Sequence, residues 1–502
     1  MKSKLGLASL LFIGATLLLK ISGLLRDMVI AYFFGDSYEA GAYLAAFVIP
    51  NMFILFMMTG MKNALVPSYI EAVQKERGRY HLGQVFKGTL LISLAVAVIG
   101  AGLAPQYIPL LYPDFGPEAT EIAIGVAVLY FAAILFVGMN AVLEGYFDAE
   151  NRFALSAVSQ IIVVLSVIGG AFLFADQIGP YSLAAGYLVG TIISLLFKWI
   201  LVAPKKAVAL KGKLSWLEIK DFYIIFIPVG LTVAVGQINL MIDNIFASYF
   251  SGSVVTYINY AKNLVHFPQM IFGVTIGLII FPFISKAMSN NDQPLFKRGI
   301  EQGLTTMFFI LLPSVIGMMV LMPNIIQMLY ERGAFDHQAT LATSEVAYYY
   351  FGSVIFFSLH NVINKGFYSL KKGYIIMIVG GFAILLKLVL NYWFTEWIGY
   401  RGIPLSSSVM AFFYVGTCFV IFVRLVKGLD LGKIALEFGK VILAVMIMTA
   451  FIWWIRPYTS SFGNLIHILL AAVAGAVVYG ICAFILRVEA LSIILQKFVR
   501  KP

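Results

Sequence analysis

Charged residues are scarce in this chain of 502 residues. Asp, Glu, Lys and Arg make up 12% of the sequence, whereas hydrophobic residues make up 61%. Soluble proteins carry about 25% charged residues, because their surfaces must face water. Together with a mean hydropathy of +0.93, the composition excludes a soluble protein and predicts one that spans a membrane.

Cysteines and enzyme motifs are also nearly absent. The two cysteines, Cys418 and Cys482, lie inside apolar runs, which excludes a disulfide framework and a zinc site built on cysteine spacing. The sequence has neither a GxxxxGK[ST] phosphate loop nor an HExxH motif, and its five histidines are scattered. We therefore expect no enzyme activity, no catalytic residue, no bound metal and no cofactor.

Long apolar runs dominate what is present. A membrane-spanning helix needs about 20 mostly apolar residues to cross roughly 30 Å of hydrocarbon. Runs of this length are too long for transmembrane strands, so they predict helices. The first run resembles a signal peptide but lacks a small-residue cleavage site, and we expect it to be retained as a span. Fourteen runs qualify: 5–34, 40–70, 83–104, 119–147, 153–175, 181–203, 219–250, 255–285, 299–322, 340–369, 373–394, 403–426, 434–456 and 464–486.

The net charge of +11 is concentrated in alternate gaps between these runs. An excess of Lys and Arg marks cytoplasmic loops, so we do not expect a nucleic-acid partner. The only lysines or arginines in the opposite gaps are Arg332, Arg401 and Arg456. The pattern predicts an even number of spans with both termini in the cytoplasm. The basic gaps are 71–88, 204–220, 286–298, 371–372 and 424–433.

The two halves of the chain resemble each other. The segment 27–34 resembles 243–250, Leu111-Tyr112 resembles Leu329-Tyr330, and 145–147 resembles 366–368. The repeat unit holds six spans, an even number, so both copies enter the membrane in the same direction. This predicts an N-lobe over 1–210, a C-lobe over 211–428 and two further spans with a basic tail over 429–502. Two parallel lobes around a central cavity are typical of an alternating-access transporter.

Ionisable side chains within the spans are candidate sites, because burying a charge in lipid is costly. Several are cations, which favours an anionic substrate and speaks against a cation exporter. Arg26 and Asp27 are adjacent and are expected on different helix faces. We place Lys62, Glu144 and Lys365 near the cytoplasmic ends of their spans. The candidate substrate-binding residues from this pattern are Lys20, Arg26, Asp27, Lys62, Lys262 and Lys365.

A second candidate site contains a carboxylate in mid-membrane. Asp243 needs a proton, a bound cation or a basic partner. Lys387 and Asn391 lie four residues apart and share a helix face. We expect Lys387 to pair with Asp243, so that a fixed ammonium stands where a sodium ion could bind.

Several motifs resemble the MurJ (MviN) family of the MOP exporter superfamily. The segment 235–243, with Ala247-Ser248 after it, resembles the family's seventh span, and Gly23-Leu-Leu-Arg26-Asp27 resembles its first. Pro50-Asn51 and Arg332-Gly333-Ala334-Phe335 also fit. The resemblance covers nearly the whole chain. It implies fourteen spans and a flippase that moves lipid II, a polyprenyl-pyrophosphate-linked peptidoglycan precursor, across the bacterial inner membrane.

The sequence departs from the family pattern at several positions. Lys20 replaces an arginine, Gly41 replaces an aspartate, and Lys262-Asn263 replaces an Asp-Arg pair, which adds Asn263 to the candidate substrate-binding residues. A flippase for another lipid-linked oligosaccharide therefore stays open, as do a MATE-like cation or drug antiporter and a non-transporting scaffold. The expected partners are the lipid-linked precursor and membrane lipids, with room for contacts to the cell-wall synthesis machinery. A monomer is expected, because two lobes already enclose one cavity.

Overall fold

The computed structural model describes residues 22–202, 208 and 213–499. These residues form helices and connecting turns, with no strand among them. Residues 22–34 belong to α1. The other helices are α2 (Tyr38–Gln74), α3 (Gly78–Leu111), α4 (Pro117–Ala149), α5 (Phe153–Ile178), α6 (Tyr181–Val202), α7 (Trp216–Ser248), α8 (Gly252–Val265), α9 (Val274–Ser289), α10 (Gln293–Val320), α11 (Met322–Tyr330), α12 (His337–Ser369), α13 (Gly373–Ile398), α14 (Gly402–Val426), α15 (Leu431–Thr459), α16 (Asn464–Ile485) and α17 (Glu489–Val499).

The helices coincide with the predicted spans wherever the chain is described. Ten stretches of the described residues are long and apolar enough to cross a membrane, and one of them, Gly373–Val426, comprises both α13 and α14. The short helices α11 and α17 were not among the predicted spans. The all-α, polytopic fold class is confirmed.

The exterior of several helices is apolar. Phe172 on α5, Phe382 and Val389 on α13, and Phe484 on α16 each expose more than half of their surface. A helix with apolar residues on its outward face needs a hydrocarbon solvent rather than water. The chain is therefore a multi-pass membrane protein.

The eighth predicted span is interrupted. It comprises α8 and α9, and a π-helical turn over Gln269–Gly273 lies between them. Pro268 directly precedes this turn and has no backbone N–H to donate to the preceding helical turn. By contrast, α2 stays helical through Pro50 and Pro67. The prolines within spans thus differ in effect, and the one at 268 marks a break.

Matching turns recur in the two halves. A left-handed residue closes the turn after α2 and after α9, after α4 and after α12, and after α5 and after α13. In the first four turns, the residue after the left-handed one donates its N–H to the carbonyl five residues earlier, which satisfies one of the last carbonyls of the helix. Equivalent turns at equivalent positions support the internal repeat. The six left-handed residues are Glu76, Asn291, Asn151, Lys371, Gly179 and Gly399.

The chain packs as two compact units. The first comprises the described residues up to Thr256 together with Arg332–Asp336, and the second comprises Tyr257–Glu331 with the described residues from His337 onward. In the first unit, α2 packs along α4 and α7. In the second, the core includes Phe296, Phe367 and Phe422. The lobe boundaries near 210 and 428 stay a prediction.

Candidate functional site

Arg26 and Asp27 form an ion pair in the first unit. Both Nε and Nη2 of Arg26 donate to Oδ1 of Asp27, at 3.1 and 2.8 Å. Asp27 is buried, and about a third of the Arg26 side chain is exposed. Arg26 and Asp27 were expected on different helix faces, yet the long arginine side chain reaches the carboxylate of the next residue.

Aromatic rings surround this pair. The guanidinium carbon of Arg26 lies 5.8 Å from the centre of the Phe47 ring. Phe47 packs on Tyr130, whose hydroxyl lies 2.6 Å from that of Tyr43. A guanidinium over an aromatic face is held by the ring quadrupole without using its N–H donors. Two of the five N–H groups of Arg26 meet Asp27, and the other three can take phosphate oxygens.

Lys62 belongs to a second charged cluster in the same unit. Its ammonium lies 3.3 Å from Oε2 of Glu144 and 3.4 Å from Oδ2 of Asp148. Glu144 is buried, whereas 30% of the Lys62 side chain is exposed. Lys62 is thus directed towards two carboxylates.

A fully buried lysine on α6 completes this cluster. Lys198 donates to Oε1 of Glu144 at 2.7 Å and to Oδ1 of Asn140 at 2.8 Å. Ser194 donates to the same Asn140 oxygen at 3.0 Å. The charges of Lys62, Lys198, Glu144 and Asp148 sum to zero, which makes their burial tolerable.

Lys198, Asn140 and Asp148 were not among the candidates predicted from the sequence. Asn140, Glu144 and Asp148 recur every four residues, and Ser194 and Lys198 do the same on α6. Polar residues four apart share a helix face. Two polar helix faces within apolar runs are the sequence signal from which this cluster could have been predicted.

The candidates of the second unit lie beside aromatic rings. The ammonium of Lys262 lies 5.9 Å from the centre of the Tyr350 ring, and that of Lys365 lies 6.0 Å from the Tyr368 ring. Asn263 is exposed. Lys20 lies outside the described residues.

The second predicted site is deeply buried. Asp243 lies in the first unit and is wholly buried. Lys387 and Asn391 lie in the second unit, and both are buried on α13. Asn391 accepts a hydrogen bond from the hydroxyl of Ser406 on α14. The pairing of Asp243 with Lys387 stays a prediction.

The second unit also contains an apolar cavity of about 550 Å³. Its walls come from α10, α11, α15 and α16, and include Pro313, Met318, Ile452 and Gly475. The hydroxyl of Tyr479, in the cavity wall, donates its hydrogen bond to the carbonyl of Phe309 and not to a ligand. The lining therefore suits a hydrocarbon chain rather than a polar group.

Comparisons with known proteins agree over most of the chain. A family model described as lipid II flippase MurJ matches residues 30–473. A relative from Synechocystis sp., named probable lipid II flippase MurJ, is 27% identical over 463 residues, which cover 88% of this chain and 85% of the relative.

Solved structures show the same fold. A lipid II flippase MurJ in an inward closed conformation is 26% identical, with a TM-score of 0.79, over 98% of this chain and all of that one. An inward-facing MATE family transporter of the MOP superfamily is 14% identical, with a TM-score of 0.70, over 82% of this chain and 95% of the other. The second likeness concerns the fold alone.

Proposed function

Because the chain belongs to the MurJ family of lipid II flippases, we propose that it moves lipid II from the inner to the outer leaflet of the bacterial plasma membrane. The family transports a lipid and is not an enzyme family. Alternating access by two repeated lobes supplies the movement. Both termini then lie in the cytoplasm, as the basic gaps predict.

The arrangement around Arg26 is the observation that carries this proposal. Asp27 holds one edge of the guanidinium and Phe47 covers its face. The remaining donors match the oxygens of a pyrophosphate, which arginine binds in a planar, bidentate way. Asp27 thus positions Arg26, and Arg26 binds the head group.

Lys20 and Lys62, and in the second unit Lys262 and Lys365 with the amide of Asn263, are further groups that attract an anionic cargo. Lys262 and Lys365 each lie about 6 Å from a ring centre, where the ring's field holds the ammonium in place. Lysine offers a point charge rather than a fork. These positions therefore attract the head group, whereas Arg26 orients it.

The apolar cavity of the second unit supports a lipid-linked cargo. Its volume of about 550 Å³ and its lining suit part of a polyprenyl tail. A drug or cation antiporter would instead need carboxylates available to a cation. In the first unit Asp27 and Glu144 already hold Arg26 and Lys198.

Complementation of cells depleted of their lipid II flippase tests the proposal. We expect rescue by the wild type and loss of rescue by Arg26→Ala, with partial rescue by Arg26→Lys, which keeps the charge and loses the fork. Lys75→Ala, at an exposed lysine paired with Glu71, is the matched control and should rescue fully.

Membrane levels of each variant are measured in the same cells by immunoblot. A well-expressed wild type that fails to rescue would overturn lipid II as the cargo. Full rescue by Arg26→Ala at normal membrane levels would contradict the role of Arg26 in binding, and lipid II would stay the proposed cargo.

A further inference from the structure

Glu144 is held at both oxygens without the help of Lys62. Lys198 donates to Oε1 at 2.7 Å, and Gln160 donates to Oε2 at 2.7 Å. Ser159 adds a longer bond of 3.3 Å to Oε1. Short charge-assisted bonds of this kind are the strong ones, so Glu144 stays ionised with Lys198 as its counter-ion.

Asp148 depends on Lys62 for its positive partner. Its Oδ1 accepts from the neutral hydroxyl of Ser156 at 2.9 Å, and its Oδ2 faces the ammonium of Lys62 at 3.4 Å. Asp148 lies in the last turn of α4, where the helix dipole is negative and disfavours a carboxylate. Removing the ammonium would therefore leave Asp148 in a field that favours its protonated form.

Lys62 is the loosely held member of the cluster. Its two carboxylate contacts, at 3.3 and 3.4 Å, are longer than the 2.7 Å bond that Lys198 makes. Its side chain is partly exposed, whereas that of Lys198 is fully buried. An ammonium with this exposure and a flexible stem can reach an anion outside the cluster.

We propose that Lys62 is a transferable cation that couples binding of a phosphate group to uptake of a proton. In this structure Lys62 is shared by Glu144 and Asp148. When a polyprenyl pyrophosphate binds, the ammonium moves to a phosphate oxygen, and Asp148 takes a proton from solvent to become neutral. The inference rests on the proposed function in taking the pyrophosphate of the cargo as the anion.

The groups that face this exchange come from four helices, and the charged ones are two lysines and two carboxylates. Glu144 keeps Lys198, so the cluster holds its charge balance once Asp148 is protonated. The groups that face the exchange are Lys62 on α2, Asn140, Glu144 and Asp148 on α4, Ser156, Ser159 and Gln160 on α5, and Lys198 on α6.

Linkage fixes the sign of the pH effect. If binding the anion takes up a proton, then a proton must equally favour binding of the anion. Affinity for the pyrophosphate therefore rises as the pH falls. Release of the Asp148 proton on the opposite side of the membrane, together with the cargo, would couple transport to a proton gradient.

Isothermal titration calorimetry of the full-length protein in detergent tests this coupling. Farnesyl pyrophosphate, a soluble short-chain polyprenyl pyrophosphate, is titrated at one pH in buffers of different ionisation enthalpy, which counts the protons taken up per ligand. The ligand's own protons cancel when variants are compared. We expect Asp148→Asn to bind but to take up fewer protons than the wild type.

Three further variants complete the test. Lys62→Gln should bind about tenfold more weakly, from loss of one charge-assisted contact, and take up no more protons than Asp148→Asn. Lys62→Arg should keep both binding and uptake. Glu150→Gln is the matched control, since Glu150 lies two residues beyond Asp148 and contacts Tyr69 instead, and it should behave as the wild type.

Unchanged proton uptake in Asp148→Asn, or unchanged affinity in Lys62→Gln, overturns the inference. If Lys62→Gln unfolds at the assay temperature, the proton uptake of Lys62→Arg and of Asp148→Asn still tests the inference. A wild type that rescues flippase-depleted cells but binds no farnesyl pyrophosphate overturns this inference alone. Proton-linked binding without rescue overturns lipid II as the cargo and leaves the coupling intact.

Discussion

Single buried charges in this protein are balanced by specific neighbours. Lys198 is the clearest case, because it is fully buried and bonds Glu144 at 2.7 Å. Removing one member of a buried pair typically costs about 3–5 kcal/mol, since the other charge is left without compensation. The role of a lysine in an apolar helix can therefore be assigned only once its partner is known.

Lys387 allows a prediction at the same scale. If its ammonium balances Asp243, Lys387→Ala should leave a carboxylate that a sodium ion can satisfy, so rescue of flippase-depleted cells should become dependent on sodium. Growth at matched ionic strength with sodium or potassium measures this. Lys286→Ala, at an exposed lysine of the same unit, is the control.

Rescue by Lys387→Ala that is equal in both salts, with an unchanged melting temperature, would contradict the predicted pairing of Asp243 with Lys387. Loss of rescue in both salts with normal membrane levels would instead mean that sodium does not replace the ammonium.

Two glycines of the first unit set how closely α2 approaches the first residue of α8. A Cβ at Gly41 would lie 2.2 Å from the carbonyl oxygen of Gly252, and a Cβ at Gly252 would lie 2.8 Å from the Cα of Tyr38. Backbone atoms cannot move aside as a flexible side chain can. The departure from the family pattern at position 41 therefore has a packing reason, because an aspartate would not fit.

We predict that Gly41→Ala lowers the melting temperature of the detergent-solubilised protein, with a cost of about 1–3 kcal/mol from overpacking. Gly102→Ala is the matched control, since it lies within α3 and a Cβ there meets nothing within 4 Å. Alanine is the better helix former, so that control should melt at the same temperature or higher. Differential scanning fluorimetry measures these melting temperatures. Equal melting temperatures for Gly41→Ala and the wild type would contradict the close approach.

The whole molecule is an α-helical membrane protein whose loops carry the orientation signal. The basic gaps and the helix order together predict that Lys75 and Lys371 lie on the cytoplasmic side, and that Asp114 and Ser461 lie outside. Each of these four positions is exposed.

Single cysteines at these positions test the orientation in a background in which Cys418 and Cys482 are replaced by serine. A membrane-impermeant maleimide added to intact spheroplasts should label cysteines at 114 and 461, and should label those at 75 and 371 only after the membrane is opened. Labelling of all four from one side would contradict the predicted span order.

Secondary structure and membrane insertion were readable from the sequence because they depend on local composition. Runs of about 20 apolar residues force helices in lipid, whatever the rest of the chain does. The repeat was visible for a similar reason, since segments 27–34 and 145–147 resemble 243–250 and 366–368 residue by residue. Arg26 and Asp27 stood out because charges are rare in such runs.

Partner choice was decided by the tertiary structure alone. The sequence predicted only the position of Lys62 and Glu144 near the cytoplasmic ends of their spans, and packing of α2, α4, α5 and α6 joins them to Asp148 and Lys198. The glycine contact at Gly41 likewise arises only when helices meet. Composition determines that a buried charge must be compensated, but for Glu144 only the three-dimensional packing determines which groups compensate it, because Lys62 and Lys198 lie far away in sequence.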